Sequence, residues 1–166
     1  PALRVDAIPN GIDLTAASAL SREEARRRAL RLFDAPEDAR LLAAAGNLRP
    51  VKGYDVAVRA LAELRRSQPG ALLAIAGEGP ERPRLRELAE ELGVGEALRL
   101  PGRLDRTLPI LMRGAEIFLQ PSRAEAFGLA AAEALAAEAP AVATNVGGLA
   151  EVVRDGETGL LVERED

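Results

Sequence analysis

The sequence contains no cysteine and no histidine, and these two absences exclude several kinds of functional site. Without cysteine there is no disulfide bond and no thiolate nucleophile, and without histidine there is no Ser-His-Asp triad. The usual zinc sites depend on the same two residue types. Any acid, base or ligand in this chain must therefore be a carboxylate, an arginine, a lysine, a hydroxyl or a backbone group.

Aromatic side chains and long apolar runs are also scarce. Aromatics are 2% of the 166 residues, so the core of this chain, which has the length of one domain, must consist mainly of alanine, leucine and valine. No apolar run approaches the roughly 18 residues that span a bilayer, and no charged-then-apolar leader opens the chain. We find no strong membrane signal and predict a cytoplasmic location. The net charge of −4 gives no reason to expect nucleic acid, whose phosphates attract basic surfaces.

Lysine is nearly absent as well. Lys52 is the only lysine among the 22 cationic residues, and all the others are arginine. A lysine ammonium is a compact, strongly hydrated point charge that suits phosphate binding. A functional lysine and a chance surface residue are both compatible with this composition.

Short apolar segments alternate with amphipathic ones along the chain. The apolar segments predict buried strands at residues 41–46, 71–76, 97–100, 116–119, 141–143 and 159–162. The amphipathic segments predict helices at residues 21–33, 54–66, 81–92, 108–113 and 128–137. Ser21 and Glu24 have the spacing of a capping box at the start of the first helix. This alternation predicts a Rossmann-like α/β fold, in which a doubly wound parallel sheet carries helices on both faces.

Ligands of such sheets bind beyond the carboxyl ends of the strands, where the strand order reverses. The loop after the first strand places Arg49 and Lys52 at a turn into a helix, where unpaired amides and the helix dipole favour anions. Phosphate binding and a solvated turn both fit that loop. The next loop, residues 77–80, lacks the third glycine of a dinucleotide fingerprint, and a tight turn is the safer interpretation.

A third loop, residues 120–127, leads into a helix and carries two candidate carboxylates. Glu125 lies in the loop, and Glu133 lies about a turn and a half inside the helix. A carboxylate pair that accepts hydrogen bonds from hydroxyls suits a polyol such as a ribose or a hexose. On spacing alone, a capping carboxylate and an incidental surface glutamate explain the pair better than a sugar site does.

Several motifs taken together, in their order, resemble one family. They are Ile8-Pro9-Asn10-Gly11-Ile12-Asp13, Gly46–Gly53, residues 76–80, Pro121-Ser122 with residues 125–129 and Glu133, residues 140–144, Gly147-Gly148, Glu151 and residues 155–160. The ordered set is similar to the second lobe of family-four glycosyltransferases of the GT-B fold, from about Ile8 to Val162. Each motif is weak alone, and the order makes the resemblance specific.

The resemblance implies a role for each matching residue. Lys52 would bind the diphosphate of a nucleotide-diphospho-sugar donor, and Glu125 would hold the transferred sugar; these two are the implied catalytic residues. Glu133 would accept hydrogen bonds from the ribose. The implied donor-binding residues are Asn47, Arg49, Gly77, Arg103, Leu104, Ala126, Phe127, Gly128, Leu129 and Glu133. The family transfers a sugar with retention of configuration, usually without a metal, and the resemblance implies no cofactor.

Two positions depart from the family pattern. Asn47 stands where the family usually has an arginine, five positions before the lysine, and Arg49 is the nearest candidate substitute. Glu138 stands where the family usually has glycine. If that turn needs a positive φ, Glu138 makes it less stable.

The resemblance covers one lobe of a two-lobed enzyme. We therefore expect residues 1–166 to form a single C-terminal, donor-binding lobe, whose partners are the donor and an N-terminal acceptor lobe absent from this sequence. The function expected is sugar transfer from a nucleotide-diphospho-sugar to an acceptor. A GT-B-type nucleotide-sugar epimerase and a non-catalytic nucleotide-binding or scaffold module are the alternatives, and Asn47 gives the second some support.

Overall fold

Six short strands form one parallel sheet in the computed structural model, which describes residues 10–12 and 20–164. The strands are β1 (Arg40–Ala45), β2 (Ala71–Ala76), β3 (Leu98–Gly102), β4 (Ile117–Gln120), β5 (Ala141–Thr144) and β6 (Gly159–Val162). Their order in the sheet is β3-β2-β1-β4-β5-β6. The chain builds outwards from β1 to β3, then returns to the other side of β1 and builds outwards again. This confirms the predicted doubly wound sheet, and its strand order reverses between β1 and β4.

Helices cover both faces of the sheet, as predicted. They are α1 (Arg22–Arg31), α2 (Tyr54–Ser67), α3 (Arg82–Glu91), α4 (Leu108–Gly114), α5 (Leu129–Ala136) and α6 (Leu149–Val152), with 3-10 turns at Pro50–Lys52 and Gly95–Ala97. The five predicted helices agree with α1 to α5 to within two residues at each end. Helix α6 was not predicted, because four residues are too few to show a helical period.

Two apolar clusters, one on each face, hold the helices against the sheet. Leu61 of α2 and Leu85 of α3 pack with Ile75 of β2 on one face. Leu111 of α4 packs with Phe118 of β4 on the other face, together with residues of α1, α5 and α6. Both β1 and β2 are almost entirely buried, which is why they read as apolar runs without alternation.

The start of α1 and the end of α5 test two local predictions. The side chain of Ser21 accepts a hydrogen bond from the backbone N–H of Glu24 at 3.2 Å, so the N-cap is confirmed. The carboxylate of Glu24 binds Arg27 and Arg28, and within the described residues it accepts no hydrogen bond from the backbone N–H of Ser21. Glu138 has a φ of 63°, which confirms that its turn needs a positive φ.

Part of the first matched motif lies outside the described residues, namely Ile8, Pro9 and Asp13. Residues 1–9 and 165–166, at the ends of the predicted 1–166 lobe, also lie outside the described residues. Within the described residues, no helix combines the length and the apolarity that crossing a membrane requires.

Candidate functional site

A cleft of about 790 Å³ opens at the carboxyl ends of the strands, where the strand order reverses. Its walls come from the loops after β1, β2, β3 and β4 and from the first turns of α5. The predicted site residues that line it are Asn47, Lys52, Gly77, Arg103, Leu104, Glu125, Ala126, Phe127, Gly128, Leu129 and Glu133. Residues that are distant in the sequence therefore meet in one cavity, where the fold predicts a ligand.

Close backbone contacts fix the loops that form the cleft. Gly77 has a φ of 146°, and a Cβ atom at this position would lie 1.9 Å from the carbonyl oxygen of Gly46. Glycine is required there because both the backbone conformation and the contact exclude a side chain. The loops after β1 and β2 thus sit side by side at the base of the cleft.

An ion pair between Lys52 and Glu125 joins the loops after β1 and β4. The Nζ atom of Lys52 lies 2.6 Å from Oε2 of Glu125, and the two side chains are 23% and 14% exposed. Lys52 ends the 3-10 turn that leads into α2. The structure therefore places the two residues with implied catalytic roles in direct contact.

Two buried polar residues that are not among the predicted site residues hold Glu125 in place. Gln120 donates from Nε2 to Glu125 Oε2 at 3.0 Å, and the hydroxyl of Ser122 lies 3.4 Å from the same oxygen. Gln120 is 3% exposed and Ser122 is completely buried. A polar residue at the end of an otherwise apolar strand was the available signal, since a buried amide must find a partner.

The hydroxyl of Tyr54 is buried beside the same cluster. It has no hydrogen-bond partner in the described part of the chain. Burial, and then the negative charge of Glu125, raise the pKa of Tyr54 well above its ordinary value. Tyr54 therefore keeps its proton at physiological pH and can donate a hydrogen bond.

Glu133 presents a free carboxylate on another wall of the cleft. Glu133 is exposed and lines the cavity from α5, and its carboxylate makes no hydrogen bond or ion pair with another described residue. The same helix begins after Gly128, whose φ is 95°, with no side-chain cap at its described N-terminus. The amides of its first turn lack intrahelical partners and favour an anion or a hydroxyl oxygen.

The remaining predicted residues occupy different positions. Arg103 is exposed and forms an ion pair with Asp105 at 3.3 Å, while Leu104 packs into the cleft wall. Asn47 lines the cleft, so a neutral side chain occupies the position of the family's arginine. Arg49 is exposed and lies outside the described lining of the cavity. The structure does not bring Arg49 to the site, and its assignment as a donor-binding residue stays a prediction.

Comparison with solved structures places the fold among glycosyltransferases. The chain is 30% identical to sucrose-phosphate synthase from Thermosynechococcus elongatus, with a TM-score of 0.82 over 96% of this chain and 39% of that one. It also superposes on HepE from Anabaena in complex with UDP and glucose, with a TM-score of 0.81 over 93% of this chain and 42% of that one. At 23% identity, the second likeness concerns the fold alone.

Sequence relatives agree with this placement. The D-inositol 3-phosphate glycosyltransferase of Nocardia farcinica is 42% identical over 96% of this chain and 36% of its own length. The protein of the same name from Salinispora tropica is 39% identical over 98% of this chain and 36% of its own length. The chain thus spans about a third of the length of these relatives. Residues 26–166 match the family model for glycosyl transferases group 1. The chain belongs to this family of GT-B glycosyltransferases.

Proposed function

We propose that this domain binds a nucleotide-diphospho-sugar and that the protein to which it belongs transfers the sugar to an acceptor. The observation that carries the proposal is the convergence of Lys52, Glu125 and Glu133 on one cleft. A cation suits the diphosphate, and carboxylates suit the hydroxyls of the sugar and the ribose. Solved structures of the similar fold contain UDP with glucose or UDP-glucose, which supports a donor of this class.

The phosphate end of the proposed site is formed by Lys52 and by the N-terminus of α5. As the bond between the sugar and the diphosphate breaks, negative charge grows on the leaving diphosphate. An ammonium and a helix N-terminus that are already in place stabilise that charge without reorganisation. Lys52 has three N–H donors, so it can keep its bond to Glu125 and still donate to a phosphate oxygen.

We assign the sugar and nucleoside ends to the other walls of the cleft, which these residues line. In this assignment Glu125 and the backbone of residues 126–129 hold the transferred sugar, Glu133 accepts hydrogen bonds from the ribose, and Arg103 and Leu104 border the base. Retention of anomeric configuration and a reaction without metal belong to the same proposal. The anomer of the product, identified by NMR, tests retention. Activity measured before and after treatment with EDTA tests whether the reaction needs a metal.

The scaffold hypothesis is the second candidate because of Asn47. This residue lines the cleft where an arginine would add a second positive charge. A site with one lysine binds a diphosphate less tightly than a site that also has an arginine. A parent protein that binds a donor and leaves every acceptor unmodified would favour the scaffold.

Calorimetric titration of the chain with UDP-, GDP- and ADP-sugars tests the donor site. Lys52→Ala and Glu133→Ala should each weaken binding at least tenfold. Arg59→Ala and Glu87→Ala are matched controls, because both residues are exposed helical residues outside the described cleft lining. No binding of any nucleotide-sugar, or binding unaffected by the two site substitutions, would refute the proposal.

A cytoplasmic location also stays a prediction, which fractionation of the native cells tests.

A further inference from the structure

Lys52 stands on a turn that the apolar core does not hold. All three residues of the 3-10 turn Pro50–Lys52 are exposed or only partly buried. Within the turn, Lys52 N–H donates to Arg49 at 2.9 Å and Gly53 N–H donates to Pro50 at 3.2 Å. Two bonds on an exposed loop leave such a segment free to open locally. The position of the ammonium therefore depends on contacts made from outside the turn.

Arg123, in the loop after β4, makes several of those contacts. Its backbone N–H donates to the carbonyl of Val51 at 2.8 Å. Its guanidinium donates to the carbonyl of Pro50 at 2.8 Å and to both carboxylate oxygens of Asp55 at 2.9 Å each. These acceptors lie on both sides of Lys52 in the sequence.

The 3-10 turn and the loop after β4 also contact each other through their backbones. A Cβ atom on Gly53, whose φ is 65°, would lie 1.9 Å from the carbonyl oxygen of Pro121. The turn and the loop are thus in direct contact next to the bonds of Arg123. Because Arg123 precedes Glu125 by two residues, the segment that holds the turn also carries the carboxylate that Lys52 binds.

We propose that the Arg123–Asp55 pair is a positioning clamp that sets the distance and direction between Lys52 and Glu125. Its consequence for donor binding rests on the proposed function, whereas the clamp itself consists of contacts within the chain. Arg123 lies outside the described cleft lining, so it acts through Lys52 and not on the donor.

The geometry of the pair suits this task. The two side chains are 28% and 17% exposed, so water screens their attraction only in part. The planar guanidinium reaches both oxygens of Asp55 and the Pro50 carbonyl at once, which a lysine ammonium cannot do with the same fixed direction. Asp55 also lies in the first turn of α2, where the helix dipole favours a negative charge.

The single lysine makes the clamp measurable without a ligand. When the chain is labelled with carbon-13 at lysine Cε, one side-chain signal reports Lys52 alone. A side chain held in one ion pair gives its two Hε protons separate chemical shifts, and a freely rotating one averages them. We expect separate shifts in the wild type and averaged shifts in Arg123→Met, with UDP-glucose binding weakened about tenfold. Compared with Arg123→Met, Arg123→Lys should recover only part of the Hε shift separation and part of the affinity for UDP-glucose.

A matched control separates positioning from simple stabilisation. Arg26 is 27% exposed, pairs with Glu116 at 3.0 Å and donates to the carbonyl of Ala39 at 2.7 Å, at the opposite end of the strands. Arg26→Met removes a similar set of contacts. It should lower the melting temperature by a similar amount and leave both the Lys52 signal and the affinity for UDP-glucose unchanged.

The outcomes are distinct. If Arg123→Met keeps separate Hε shifts and loses only melting temperature, as Arg26→Met does, the clamp is overturned. If Arg123→Met does not fold, Asp55→Asn replaces it as the test, because this variant keeps the bond from Arg123 to Pro50 and removes the paired charge. Averaged Hε shifts in Asp55→Asn would support the clamp, and separate Hε shifts would overturn it. If the wild type binds no nucleotide-sugar while the Lys52 signal still depends on Arg123, the proposed function fails and the clamp stands.

Discussion

The ammonium of Lys52 lies 2.6 Å from a carboxylate oxygen of Glu125, across the point where the strand order of the sheet reverses. This contact couples the loop after β1 to the loop after β4. It satisfies both charges, which would otherwise be costly at their partial burial. A diphosphate must therefore compete with Glu125 for the ammonium or share it.

Glu125→Gln should raise the affinity for UDP about 3- to 10-fold, because the amide no longer neutralises Lys52 or repels the diphosphate. The preference for UDP-glucose over UDP should fall, since the sugar loses its carboxylate partner. Calorimetry with both ligands measures the two effects. Glu133→Gln is the control and should weaken both ligands without changing their ratio. Weaker UDP binding by Glu125→Gln would contradict a competing role for Glu125.

Glu138→Gly should stabilise the protein by about 0.5–1 kcal/mol. A left-handed conformation costs a residue with a side chain roughly 1–2 kcal/mol, and the greater freedom of glycine in the unfolded chain offsets part of the gain. The ion pair with Arg113 at 3.2 Å involves a 64% exposed carboxylate and contributes little. Urea unfolding measures the change. Glu138→Ala keeps the strained φ, so a gain equal to that of glycine would rule out backbone strain as the cause.

Tyr54→Phe should raise the free energy of unfolding by about 1 kcal/mol, since a buried hydroxyl without a partner costs roughly that much or more. Tyr54→Leu is the control. It loses the packing of the ring and should lower stability by about 2–4 kcal/mol. A destabilised Phe variant would mean that the hydroxyl does have a partner in solution.

The Arg123–Asp55 pair predicts a pH dependence. Hydrogen bonds from Arg123 hold the pKa of Asp55 below its ordinary value. A lowered folded-state pKa stabilises the protein above the unfolded value of about 3.9, and this contribution is lost as the pH falls through the folded value. The wild type should therefore exceed Asp55→Asn in stability at pH 7 and lose that advantage below about pH 4. Urea unfolding at several pH values, with Asp105→Asn as an exposed control, checks this, and a constant difference would contradict it.

The architecture could be predicted from the sequence because its signals are local. Strands such as β2 are buried on both faces and read as short apolar runs. Breaks at glycine, proline and charged residues then separate them from amphipathic helices. The contacts of Arg123 with Pro50 and Asp55 could not be predicted, because they exist only once β4 lies beside β1. Arg49 was predicted to bind the donor because it occurs in a loop that forms the cleft, but it lies outside the described cleft lining. Its place in the sequence could not show where its side chain lies.

The most direct test of the donor site follows the single Lys52 signal during a titration with UDP-, GDP- and ADP-sugars. If Lys52 binds the diphosphate, one of these nucleotide-sugars shifts the Lys52 signal in a saturable way, with the same Kd that calorimetry gives. Glu133→Ala then moves the whole curve to higher concentration. A nucleotide-sugar that binds by calorimetry and leaves the Lys52 signal unchanged would contradict a donor site at Lys52.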